Sequence, residues 1–120
     1  MNSALKFYVI ATITVSLILL ICLIASAEVH SDEYYNRVAD AIYIIEGGER
    51  ANQLYGINPK YVYCGSEVEC RRVCINTIKS KEREWLNNGE VDFLTYLSKR
   101  YCPPNHRVWL KNLKFYLRRG

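Results

Sequence analysis

Residues 7 to 27, FYVIATITVSLILLICLIASA, form one uncharged apolar run bounded by Lys6 and Glu28. Beyond it, apolar residues recur at helical spacing in four separate blocks. Ser31-Asp32-Glu33 offers a capping side chain followed by acids that suit the positive end of a helix dipole. Tyr35, Val38, Ala39, Ile42 and Ile45 then share one face, and Gly47-Gly48 ends the run where a left-handed residue is wanted, which makes Glu46 the last helical residue. Ser66 with Glu69 matches a capping box, so a second helix is predicted from about 67 to 87. Its apolar set is Cys70, Val73, Cys74, Thr77, Ile78 and Trp85, and Asn87-Asn88-Gly89 stops it. The charged stretch Lys79 to Glu84 is expected at the surface.

A third helix fits residues 90 to 101 through Phe93, Leu94, Leu97 and Tyr101, and Pro103-Pro104 blocks its continuation. Asn105 can cap a fourth carrying Val108, Trp109, Leu113, Tyr116 and Leu117. Residues 52 to 63, NQLYGINPKYVY, are aromatic and broken by Gly56 and Asn58-Pro59, which suits an extended loop or short hairpin. The pattern predicts a mainly α domain with a short β segment, preceded by an N-terminal signal or anchor helix.

Residues 1 to 27 therefore read as a signal peptide or membrane anchor and residues 28 to 120 as one domain. Ala25-Ser26-Ala27 supplies the small-x-small pattern of a cleavage site. The run is also long: about 20 apolar residues span a bilayer, whereas a signal-peptide apolar core has roughly 7 to 15. Both a cleaved leader, giving a periplasmic or secreted protein, and a retained anchor in the cytoplasmic membrane facing outward fit the sequence. Cys22 lacks the preceding small residue that lipid attachment needs.

Four cysteines follow the leader: Cys64, Cys70, Cys74 and Cys102. An even number in a small exported domain suggests disulfides. Four cysteines allow three pairings, and Cys70 with Cys74, one turn apart on a predicted helix, is disfavoured; of the two that remain, Cys64 with Cys70 and Cys74 with Cys102 is favoured. A buried thiol pair or a zinc site is the alternative, although no CxxC pair or nearby histidine supports zinc. No metal or cofactor is expected, and His30 and His106 are expected to be solvated. Charge is uneven: residues 28 to 70 hold three basic and eight acidic side chains, residues 71 to 120 twelve basic and four acidic. Outside the cytosol such a cationic half meets anionic wall polymers or lipid head groups rather than nucleic acid.

The sequence contains no GxxxxGK[ST], HExxH or GxSxG. Carboxylate chemistry remains. Glu46 falls at the margin of an apolar helix face just before two glycines, where partial burial and the helix dipole would both favour its neutral form. A carboxyl group so placed suits the general acid of glycoside cleavage. The glycines would let a polysaccharide approach, and Tyr55, Gly56, Tyr61 and Tyr63 could line a sugar site. Glu49 is a candidate second carboxylate or substrate contact, with Glu90 or Asp92 as alternatives. Asn76 and Thr77 suit either substrate contact or helix packing.

Ile44-Ile45-Glu46-Gly47-Gly48, followed by Tyr55-Gly56-Ile57, resembles the opening of lysozyme-like muramidases, especially phage endolysins of glycoside hydrolase family 108. The resemblance implies a lysozyme-like fold and maps the catalytic acid to Glu46. The later segments Arg71 to Ile78, Arg100 to Pro104, and Trp109 with Asn112-Leu113 are similar to bacterial and phage proteins that share this opening, and they imply that Cys74 and Cys102 belong together. The motif covers about 14 residues, its internal spacer is shorter than endolysins usually have, and the glycine-rich spacer of the family is missing. Two functions are expected on this basis. One is cleavage of the peptidoglycan glycan strand, as a muramidase or lytic transglycosylase. The other is a non-catalytic, disulfide-stabilised module that binds wall glycan or a protein partner, free or tethered to the membrane.

Overall fold

In the computed structural model, residues 3–26 and 30–119 are described. Five α-helices make up the fold: α1 (Ser3–Ser26), α2 (Asp32–Ile45), α3 (Glu67–Asn88), α4 (Phe93–Tyr101) and α5 (His106–Arg119). The mainly α architecture agrees with the apolar pattern. Ala27 of the small-x-small site lies outside the described residues, as do the side chains of Cys22, Ala25 and Ser26. Side chains of α1 are described at Ser3, Leu5, Lys6 and residues 8 to 18, and among the described residues no helix is long and apolar enough to cross a membrane. No other described element packs against α1.

The capping signals at Ser31 and Ser66 act as the sequence suggests. Ser31 Oγ accepts from Tyr34 N at 3.2 Å and Ser66 Oγ from Glu69 N at 3.2 Å. Glu69 reaches back to the amide of Gly65, at 2.8 Å, rather than to that of Ser66. Asp92 caps α4 through Thr95 N at 3.2 Å and Thr95 Oγ1 at 2.6 Å, so this helix begins at Phe93 rather than at residue 90. Glu46 is the C-cap of α2, and its amide bonds the Ile42 carbonyl.

The expected β segment is absent: no strand occurs among the described residues. Two 3₁₀ turns, Gly48–Arg50 and Leu54–Gly56, take its place. The reason is local. Gly47, Gly48, Tyr55 and Gly56 all have positive φ, so the chain turns repeatedly and never runs straight enough to pair. Tyr55 is the unusual member, because an aromatic side chain at φ 58° is strained. It is 1 % exposed, and that burial holds the conformation in place.

The core lies between α2 and the faces of α3, α4 and α5, with the second 3₁₀ turn closing one end. Tyr35, Val38, Ala39 and Ile42 from α2 meet Cys70, Cys74 and Ile78 from α3, Leu97 from α4, and Trp109 and Leu113 from α5. Val108, expected on the apolar face, is exposed. Fully burying side chains of this size contributes about 1.5–3 kcal/mol each.

Only one of the two expected disulfides forms. Cys64 and Cys70 are bonded, whereas Cys74 and Cys102 are free thiols. Cys74 lies inside α3 and is fully buried, and its thiol shares a hydrogen bond with the Tyr101 hydroxyl at 3.5 Å. Cys102 caps the end of α4.

The surface expected for residues 79 to 84 is also interrupted. Glu82 is 2 % exposed, and its carboxylate accepts hydrogen bonds from the Tyr35 hydroxyl and pairs with His30 Nδ1. His30 is therefore not a solvated terminal residue. It stacks on Tyr34 at 3.9 Å and joins the start of the domain to α3.

Candidate functional site

Glu46 projects from the end of α2 and is half-buried. Trp109 Nε1, from α5, donates to Glu46 Oε1 at 3.0 Å. Trp109 itself is buried and stacks on Tyr101 of α4, with ring centroids 5.0 Å apart. On the other side Gly56 packs directly against the carboxylate. A Cβ at Gly56 would come within 2.9 Å of Glu46 Cδ, and φ of +69° independently favours glycine there. Three distant parts of the chain thus fix one side chain.

Gly47 explains how the helix ends here. Its φ of +110° turns the chain away immediately after Glu46 and leads into the 3₁₀ turn Gly48–Arg50. The return of the loop to Gly56 depends on Tyr55, whose hydroxyl donates to Glu67 Oε1 and accepts from Arg71 Nη1, both at 3.2 Å. Arg71 also pairs with Asp40 at 2.7 Å and donates to Asn36, joining the loop to α2.

A groove of about 370 Å³ runs between the loop and helices α3 and α4. Gly56, Ile57 and Tyr61 form one wall, Val73, Thr77 and Lys81 the floor along α3, and Arg100 and Tyr101 the other wall. Glu46 stands behind Gly56, which packs on it, and Tyr101, which stacks on its partner Trp109. A second concavity of about 250 Å³ lies around the Cys64–Cys70 bridge and shares Ile57 and Val62 with the groove, but Gly56 and Tyr101 do not line it.

The electrostatics separate this cluster from the exposed surface. Burial raises the Cys74 thiol to about 11, opposed by the Tyr101 hydrogen bond and Arg71 and reinforced by the Glu46 charge. Burial likewise raises Tyr101, with Cys74 and then Glu46 adding to the effect. Both groups stay protonated at neutral pH.

Gly56 and Tyr61 of the expected site line the groove, whereas Glu46 does not line it and meets it only through Gly56, which packs on its carboxylate. Tyr55 does not line it, because its ring is in the core and its hydroxyl is committed to Glu67 and Arg71. Tyr63 is 82 % exposed and belongs to the wall of the smaller concavity. Glu49 is exposed on the first 3₁₀ turn, where its charge is felt by Tyr43. Asp92 is committed to capping α4. Cys64 and Cys70 support the loop as a bridge, and Cys74 and Cys102 are thiols.

Trp109, Tyr101, Lys81 and Arg100 were not singled out as site residues by the sequence. Trp109 and Tyr101 carried a usable signal, since each sits on a predicted apolar face while holding a polar atom that needs a partner. Among the described residues, no group of three or more His, Cys, Asp or Glu is placed to hold a metal ion.

Comparison with protein-family models, curated proteins and solved structures gives no match. The functional reading rests on this geometry and the residues that build it.

Proposed function

We propose that the chain cleaves the glycan strand of peptidoglycan, with Glu46 as the general acid. The observation that carries this reading is the fixed placement of Glu46, oriented by Trp109 and packed against Gly56, which lines an open groove. Glycoside cleavage requires a proton on the leaving oxygen as the bond breaks, and a positioned carboxylic acid supplies it.

Several features support a saccharide occupant. The groove presents Tyr61, which is 77 % exposed, together with apolar side chains and the hydroxyl-bearing Thr77. Aromatic and apolar faces suit sugar rings, and nearby polar groups suit their hydroxyls. The resemblance of the Glu46-Gly47-Gly48 and Tyr55-Gly56-Ile57 segments to lysozyme-like muramidases points the same way. In this reading the apolar leader delivers the domain to the outer side of the cytoplasmic membrane, where the strand is within reach.

The test is release of soluble muropeptides from purified sacculi by the full-length protein and by Glu46→Gln. Release by the wild type and loss in the variant are expected. Equal release by both would exclude Glu46 as the acid. Retention on sacculi with no release by either protein would assign the domain to wall binding without cleavage.

A further inference from the structure

The lining of the groove is chemically mixed. Beside its apolar side chains, Lys81 on α3 and Arg100 on α4 bring two cations to it, and no acidic side chain lines it. Lys81 follows Cys74 by seven residues along α3, which places it about 10 Å further along the helix axis.

These two cations are held in place. Lys81 Nζ donates to Glu84 Oε1 and Oε2 at 3.1 and 3.3 Å, and the Tyr96 hydroxyl donates to Glu84 Oε2 at 3.2 Å. Arg100 Nη2 donates to the Tyr96 hydroxyl at 3.4 Å, and its guanidinium lies 5.3 Å from the centre of the Tyr96 ring. One carboxylate thus serves two cations and leaves the network with net positive charge. Glu84 and Tyr96 restrain both side chains while leaving donors uncommitted, since an ammonium has three and a guanidinium five.

We propose that Lys81 and Arg100 bind carboxylates carried by the glycan strand, so that the protein selects anionic strands over neutral β-linked glycans. The inference rests on the reading that the groove takes a glycan strand, and it adds the substrate class. Peptidoglycan has two sources of this chemistry: the lactyl carboxylate of the muramyl sugar once its peptide is removed, and the carboxylates of the stem peptide. Arginine matches a carboxylate with two parallel donors, and lysine contributes a point charge beside it. Because the groove is open, the attraction is screened by salt over about 10 Å at 0.1 M.

The test measures binding without turnover. Full-length Glu46→Gln is cosedimented with intact sacculi, with amidase-stripped sacculi and with chitin, alone and combined with Lys81→Glu, Arg100→Glu or Lys81→Arg. Each charge reversal is expected to weaken binding to sacculi by roughly fivefold or more, in a salt-dependent way, while leaving chitin binding and the thermal melt unchanged. Lys81→Arg should retain binding. Charge-dependent binding that survives stripping assigns the lactyl carboxylate, and binding lost on stripping assigns the stem peptide. Unchanged binding of the reversal variants, or an equal loss on chitin, overturns the proposal. If the wild type releases no muropeptides yet binding still depends on Lys81 and Arg100, the acid role of Glu46 fails and this selectivity stands.

Discussion

The indole of Trp109 and the carboxylate of Glu46, 63 residues apart in the chain, meet at 3.0 Å and join the end of α2 to the first turn of α5. The bond restrains the carboxylate within a half-buried setting and leaves the indole with its required partner.

Trp109→Phe keeps an aromatic ring in the core but removes the donor. A stability loss of about 1 kcal/mol is expected from the lost hydrogen bond, with some further cost from the smaller ring. Urea denaturation followed by circular dichroism measures it. If Glu46 is the acid, muropeptide release falls by more than the change in the folded fraction explains.

Gly56→Ala tests the close approach on the other side. The added methyl meets the Glu46 carboxylate at a positive φ, so a cost of about 1–3 kcal/mol is expected from backbone strain alone. Displacing the acid by an ångström can lower turnover on the order of 100-fold. A variant that melts lower yet releases muropeptides at the wild-type rate per folded molecule would show that the carboxylate position is not critical.

The cap of α4 carries a defined pH dependence. Hydrogen bonds from Thr95 hold the Asp92 carboxyl below its ordinary value of 3.8 despite some burial. A depressed folded value means that the cap contributes stability above the unfolded value and loses it as pH falls through the folded one. Asp92→Ala should cost about 1 kcal/mol at pH 7, and its difference from wild type should shrink below about pH 4. Paired urea curves at pH 7 and pH 3 check the sign.

The thiols should behave unequally. With Cys74 buried and raised to about 11, little thiolate exists at pH 8, whereas Cys102 is partly exposed. Iodoacetamide at pH 8 should modify Cys102 first and reach Cys74 only on unfolding. Peptide mass mapping after a timed reaction reads this directly, and prompt labelling of Cys74 would contradict the burial.

Much of the helical architecture was legible because each domain helix carries local instructions. Ser31 and Ser66 are caps whose side chains find nearby amides, Gly47 supplies a stop that depends only on φ, and the Asp92 cap went unread, so the third helix was expected from residue 90. The loop was misread because aromatic residues and valine at 52 to 63 suggest strands, whereas four positive-φ residues in the turn region decide the path. Glu82 was misread for another reason. It continues the Cys74 and Ile78 stripe at intervals of four, but its charge suggested solvent, and the partners that make its burial tolerable come from His30 and Tyr35, about 50 residues earlier. The candidate acid was visible in its helix-end position, while the groove depends on contacts among α3, α4 and the loop. Cysteine parity suggested a second bridge, but it carries no information about whether two sulfurs face one another.

The clasp between His30 and Glu82 limits how far the helices that follow can stray from α1. Ser26 ends α1 and His30 is held on α3, so the two lie four positions apart, a step that spans at most about 14 Å even when stretched. The groove therefore keeps a bounded distance from the end of α1.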